Sequence, residues 1–476
     1  MSYETIVGLE IHAELSTNTK MFCSCKNEFG GQVNNNTCPV CLGMPGALPV
    51  LNKKALEYAI MAGLAFNCKI AKDCKMDRKN YFYPDLTKGY QISQYDIPLC
   101  YDGYLEIENE KEEKKKIRIQ RIHIEEDTGK SLHDPNGDTL LDYNRAGLPL
   151  IEIVTHPDIS SPYEAQAFLE KLKETLLFLG ISDVKMEQGS LRCDVNINMK
   201  KDENTKTNIS ELKNLNSFRN AVKALEFEQK RHASLLDEGL NTKKETRRWD
   251  EEKQETIHMR SKENVQDYRY FPEPDIVDIS LTDEDISNIK NNLEELPDEK
   301  RQRFMKDYQI PEYDAKVLTS SKEVSSYFED IAKAIDNKKL VSNWIMTELL
   351  RRTKDEEISL DELKFNKEDF IELLKLINDS KINNNAGKKV FRKMFEEGKK
   401  PMDIVKEDGL LQVGDESEIK QMVQAVLDKN EASINDYKNG KDRAFGFLVG
   451  QVMKASRGKA NPQIVNKLLK EILDSL

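Results

Sequence analysis

GLEIHAELSTNTKMFCSCKNEFGGQVNNNTCPVCLGMPGALP, residues 8–49, holds two patterns from which the rest of the chain can be read. In its first part Val7, Leu9, Ile11, Ala13 and Leu15 alternate with Gly8, Glu10, His12, Glu14 and Ser16. Side chains two apart share a strand face, so Glu10, His12 and Glu14 form one row and the apolar set packs behind them. Two carboxylates beside an imidazole can hold a divalent cation; a solvated strand face is the competing reading. In the second part Cys23 and Cys25 form C-x-C, and Cys38 and Cys41 form C-x-x-C. Two close thiol pairs joined by a short polar loop suit a closed, structural four-thiolate zinc site. Disulfides and free buried thiols are the alternatives. Four of the eight cysteines lie within this short stretch and no secretory signal is visible before them, which favours the metal.

The bulk properties exclude several classes. A chain of 476 residues has room for two to four domains. MSYETIVGLE has neither a basic n-region nor an apolar h-region, and no run approaches eighteen apolar residues, so neither a signal peptide nor a membrane span is expected. A reducing cytoplasm is the expected location. Charged residues make up 33% and the net charge is −12, which argues against a surface uniformly attractive to nucleic acid.

Along the chain, strand-like alternation recurs near 5–15, 117–127, 149–155, 193–199 and 209–213, so residues 1–290 read as a mixed α/β domain. A helix is expected from Pro162 to Leu179, with Ser160-Ser161-Pro162 and Glu164 giving a cap, a first-turn proline and an early acid, and Gly180 ending it. Residues 291–404 read as all-helical: Val341, Trp344, Ile345, Leu349 and Leu350 recur at helical spacing. Residues 405–476 read as a small helical tail. From Lys429 onward it carries nine Lys/Arg against five Asp/Glu. Its basic turn, Ser456 to Ala460, suits either a phosphate contact or solvent.

Further motifs carry polar faces. In residues 78–99, RKNYFYPDLTKGYQISQYDIPL, Lys79 with Tyr81 and Tyr83 on one face would grip a phosphate and stack a ring; a core segment with surface tyrosines competes. RIHIEEDTGKS, 121–131, points His123, Glu125 and Asp127 to one side. If it lies near the first strand, Glu10, His12, Glu125 and Asp127 converge into an acidic pocket fit for Mg²⁺. Gly129-Lys130-Ser131 is no phosphate loop, because Ile124 stands where the first glycine is required. Arg192, Asp194, Asn196 and Asn198 share one face of 187–199, and Glu211 and Lys213 one face of 211–218. So many charged strand faces are expected to line a common cleft, with Arg269 and its aromatic neighbours in DYRYFPEPD nearby.

GLEIHAEL, the CPVCLGMPGALPVLN knuckle, KNYFYPDL, KGYQISQ, HIEEDTGKS, NRAGLPLIEIVT, GSLRCDVN, ELKNLNSF and DYRYFPEPD together closely resemble the B subunit family of the aspartyl/glutamyl-tRNA amidotransferases, over essentially the whole chain. Thr87, Gln188 and Asn198 depart from that family's usual residues. The resemblance implies a cradle domain with a zinc knuckle, then helical and tail domains. It implies an ATP-dependent ligase of protein biosynthesis that phosphorylates the side-chain carboxylate of Glu on the glutamine tRNA, or of Asp on the asparagine tRNA. Ammonia from a partner amidase (A) subunit then forms the amide, and a small C subunit completes a heterotrimer. By the same resemblance Cys23, Cys25, Cys38 and Cys41 hold zinc, and Glu10, His12 and Glu125 hold Mg²⁺. Lys79, Ser190, Arg192, Asp194 and Glu211 contact ATP or its metal, Tyr81 lines the path to the aminoacyl end, and the tail holds the tRNA body. A zinc-bearing tRNA scaffold without catalysis, or a free-standing amide ligase, is the alternative.

Overall fold

The computed structural model describes residues 3–133, 137–202, 205–261, 267–412, 416–438, 441–456 and 460–475. The basic turn expected at Ser456 to Ala460 lies mostly outside them. Two compact units divide at Pro297/Asp298. Among the described residues, no helix is long and apolar enough to cross a membrane.

A nine-stranded sheet organises the first unit. Its strands run in the spatial order Glu255–Ser261, Glu245–Asp250, Ser210–Lys213, Leu191–Lys200, Glu4–Glu14, Pro149–Thr155, Lys114–Glu126, Cys100–Glu108 and Lys69–Ile70. The Ser210–Lys213/Glu245–Asp250 pair is parallel and the other neighbours are antiparallel. The Glu4–Glu14 strand is central because its alternation is strict: Val7, Leu9, Ile11 and Ala13 are all 1% exposed or less. They pack with Phe168, Leu172, Ala221 and Leu225, which lie on the helices Pro162–Phe178 and Phe218–Asp237. The first of these starts as its sequence dictates, with the Ser161 hydroxyl accepting from the Glu164 N–H at 3.1 Å. One face of the sheet is therefore a helix-covered core, and the other is left polar.

The Phe218–Asp237 helix also buries charge. Glu228, fully inaccessible to solvent, accepts from Arg231 Nη2 at 2.6 Å, lies 3.1 Å from His232 Nε2 and 3.3 Å from Arg247 Nε, and is bonded by the Thr256 hydroxyl. Burial alone would raise its pKa, but these donors hold it at about 2 instead of 4.5. A depressed carboxylate stabilises the fold above its ordinary pKa and loses that contribution as pH falls toward its folded value. Glu228→Gln is therefore expected to cost about 3 kcal/mol at neutral pH, a penalty that fades between about pH 4.5 and 2. Urea unfolding of both proteins across that range checks it.

The helix Asp283–Asn291 belongs to the first unit, which runs through Pro297. The second unit has two apolar clusters. One gathers residues from Phe304 to Val405, the other residues from Ile419 to Leu473. The helix Pro401–Glu407 places both Ile404 and Val405 in the first cluster. The run VSNWIMTELLRRTKDEE is also not one regular α-helix: Lys338–Trp344 passes through a π-helical turn, Ile345–Leu349, into Leu350–Asp355. The wider turn leaves Trp344, Ile345 and Leu349 all buried.

Candidate active site

Cross-strand register builds the site. Glu10 stands opposite Asp194 on one side, and His12 opposite Arg192 on one side and Glu152 on the other; Glu152 in turn stands opposite His123. Directly paired residues share a face, so Arg192, His12, Glu152 and His123 form one row across four strands. Glu10 and Asp194 form part of the next row. Asn196 pairs with Glu211 one strand further out. These rows floor a cleft of about 870 Å³, whose walls include Lys79, Arg121, Lys213, Tyr268 and Tyr270.

Glu152 is the hub. Its Oε2 lies 3.3 Å from His12 Nε2 and 3.2 Å from His123 Nε2; Glu125 lies 3.5 and 3.6 Å from the same two nitrogens. The Ser93 hydroxyl also donates to Glu125 at 2.9 Å. Burial works against the charged imidazoles, yet Glu152 and Glu125 lift His12 above its ordinary value and His123 to about 9. Burial likewise opposes the carboxylates, but Lys79 and His123 hold Glu125 at about 2, and the two histidines hold Glu152 far below its ordinary value. Glu10 is pushed up by burial and by the Glu152 charge. Glu14 rises to about 7 through burial and the neighbouring Asp127.

Glu10, His12 and Glu152 place ligand atoms within 4.8 Å of one another, and so do His123, Glu125 and Glu152. The expected set Glu10, His12 and Glu125 is not one such group among the described residues. The Pro149–Thr155 strand runs between, and Glu152 joins both groups. These carboxylate–imidazole sets fit a divalent cation, which would displace the protons from the two histidines. The sequence pattern does not single out Glu152, although one acid within the apolar run PLIEIVT is its visible signal.

The other candidates separate into two kinds. Lys79 lies in the cleft wall with its Nζ 5.2 Å from the Tyr268 ring, and the charges of Glu125 and Glu152 hold its pKa up against burial. Its strand, Asp77–Asn80, ends before Tyr81, so Lys79, Tyr81 and Tyr83 do not share a strand face as expected. Tyr81 donates to Gln91 Oε1 at 3.1 Å and meets Tyr268 edge-on, while Tyr83 is exposed. Arg192 donates to Asp127 at 2.6 Å, with Arg145 3.5 Å from the same carboxylate. Asp127 therefore serves two arginines and does not line the cleft beside Glu10. Lys213 bonds Asp194 and approaches Glu211 at 3.7 Å. Ser190 does not line the cleft: its hydroxyl donates to Asp183 and accepts from the Lys185 N–H, closing the 183–190 loop.

Cys23, Cys25, Cys38 and Cys41 converge with their sulfurs within 4.8 Å, and all four are free thiols. The Cys38 N–H donates to Cys41 Sγ at 3.1 Å, and Lys20, buried completely, donates to the same sulfur at 3.7 Å. Four convergent sulfurs with N–H donors around them fit a zinc ion.

A mixed sheet with a carboxylate–imidazole cleft on its open face and a cysteine knuckle following its central strand has the makings of a catalytic domain. Residues 5–287 match the family model described as the GatB/GatE catalytic domain, and residues 326–473 match the one described as the GatB domain. The B subunit of the aspartyl/glutamyl-tRNA(Asn/Gln) amidotransferase of Clostridium botulinum (strain Langeland) is 54% identical over 472 residues, 99% of each chain. Its namesake from Clostridium tetani (strain Massachusetts) is 53% identical over 477 residues, 100% of each chain. The chain belongs to the family of these amidotransferase B subunits.

Proposed function

We propose that this chain phosphorylates the side-chain carboxylate of Glu on tRNA(Gln), of Asp on tRNA(Asn), or of both, with ATP, and amidates it with ammonia supplied by a glutaminase partner. The partners would be an amidase subunit and a small third subunit in a heterotrimer, working in the cytoplasm where tRNA is charged. A carboxylate oxygen attacks the γ-phosphorus and the bond to the β–γ bridging oxygen breaks, releasing ADP. Ammonia then attacks the acyl carbon, the acyl–phosphate bond breaks, and phosphate and a proton leave. Two anions must approach each other in the first step, so the site has to neutralise charge.

The observation that carries this reading is Glu152 set between His12 and His123 on the cleft floor. Glu10, His12, Glu152, His123 and Glu125 are the residues that would hold Mg²⁺, which supplies charge neutralisation on the phosphates when bound. Lys79, kept protonated by Glu125 and Glu152, would face the transferring phosphoryl group. Arg192 is oriented by Asp127, and Lys213 by Asp194 and Glu211, so each presents its remaining N–H groups to the cleft. Tyr81 would border the route of the aminoacyl end. Ser190 acts by shaping the loop that leads into the strand of Arg192. Zinc in the cysteine knuckle would be structural, and the basic tail, residues 405–476, would hold the tRNA body.

The test is reconstitution with the amidase and small subunits, ATP, Mg²⁺, glutamine and tRNA mischarged with labelled Glu or Asp. Labelled amide from the wild type and none from Glu10→Gln is the expected result. An assembled complex that makes no amide with either tRNA overturns the proposal.

A further inference from the structure

The strand Lys114–Glu126 changes phase partway along. Ile117, Ile119, Ile122 and Ile124 are all fully buried, although strict alternation would put 119 and 122 on opposite faces. The register explains it: Val154 pairs with Arg121 but Thr155 with Ile119, so the strand accommodates one extra residue, Gln120, as a bulge. A bulge re-aims the side chains beyond it. Here it keeps the isoleucines in the core and turns Arg121 onto the face of His123 and Glu125, into the cleft wall.

Arg121 arrives there without a partner. Its Nε, like that of Arg192, is buried with no hydrogen-bond acceptor, and among the described residues no carboxylate pairs with the Arg121 guanidinium. Arg192 and Lys213, cations of the same cleft, are matched to Asp127 and Asp194. A guanidinium partly withdrawn from water and left unmatched is costly, and it stands in the row of Glu10 through Val154. Its planar fork of donors suits a carboxylate or phosphate.

We propose that Arg121 is an anion-binding residue of the phosphorylation step. It holds either a phosphoryl oxygen of ATP or the carboxylate that accepts the phosphoryl group, and so rests on the reading above. Arg121 thereby faces the substrate anions beside the carboxylate–imidazole floor, and Lys79 supplies the second cation of that wall.

The experiment uses the reconstituted complex with wild-type, Arg121→Gln, Arg121→Lys and Arg121→Ala chains, varying ATP and mischarged tRNA separately. Arg121→Gln is expected to lower kcat/KM for amide formation about a hundredfold or more, as the loss of one preorganised donor does. Arg121→Lys should recover part of this, and added guanidinium should partly restore Arg121→Ala. A rise in KM for ATP alone assigns the anion to phosphate, and a rise for tRNA alone assigns it to the carboxylate. Wild-type kinetics in Arg121→Gln overturn the proposal, as does a loss that merely tracks a lower melting temperature and shows no guanidinium rescue. A wild-type complex that makes no amide overturns the phosphorylation reading instead.

Discussion

Glu152→Gln is expected to lower ATP-dependent amide formation about a thousandfold while leaving the partner's glutamine hydrolysis unchanged. The size of the effect follows from its place in both convergent ligand sets, where one carboxylate's loss disrupts two groups of charge-stabilising residues at once. Gln keeps the shape, so the change is electrostatic. In the cation-free protein the pairing of His123 with Glu152 and Glu125 stabilises the fold fully below the ordinary imidazole pKa of 6.5 and is lost as pH rises through about 9. Without Glu152, only Glu125 opposes burial and His123 loses its proton at lower pH. Cation binding to the wild type should therefore release protons near neutrality, and Glu152→Gln should release fewer. Titration calorimetry in two buffers of different ionisation enthalpy measures that difference, and an amidation assay measures the rest. Amide formation at the wild-type rate would remove Glu152 from the chemistry.

Glu152 also shows where the sequence stops being legible. The Glu4–Glu14 strand could be read from its alternation, and Glu10 and His12 with it, because a half-buried strand writes its two faces into every second residue. The cysteine knuckle was equally plain from spacing. PLIEIVT hides its acid: Leu150, Ile151 and Ile153 are buried around it on both faces of the strand, so the alternation is blurred. That Glu152 joins His12 to His123 depends on the Pro149–Thr155 strand lying between two others, and strand order is a tertiary fact. Arg121 was concealed differently. The spacing Ile117, Ile119, Ile122, Ile124 announces a phase change, but only the pairing shows which residue bulges. Partners far apart in sequence were beyond reach. Arg192 meets Asp127 and Lys79 meets Tyr268 only after the sheet has assembled. The single face expected of Lys79, Tyr81 and Tyr83 is not formed, because the strand ends at Asn80 and Tyr83 is exposed.

Cys41→Ser is expected to release the knuckle's metal and unfold the 23–47 loop while the sheet behind it stays intact. Between those residues the chain forms turns and bends but no extended strand pairing, and Phe29, Val33 and Met44 are 72%, 59% and 50% exposed. A loop with so little core cannot offset its own ordering entropy, so the four sulfurs must hold it. Zinc bound to such sites in small peptides contributes on the order of 10 kcal/mol. Cys41 matters most because three groups already favour its thiolate: the Cys23 thiol first, then the Cys38 N–H and Lys20, which together bring it to about 4. Serine offers a poor ligand there and leaves the Lys20 ammonium buried without its sulfur. The damage should stay local, since Met21 and Phe22, just before the knuckle, are anchored in the main core. It should reach Glu126, the chain neighbour of Glu125, through Thr87, whose hydroxyl donates to the Cys41 carbonyl at 2.8 Å, and the adjacent Lys88, 2.6 Å from Glu126. Metal analysis should give one zinc per wild-type chain and well under one for Cys41→Ser. Limited proteolysis should cut the variant within 23–47 first, with the melting of the sheet displaced by only a few degrees. A wild-type chain that carries no zinc yet protects this loop would show that the thiols alone suffice.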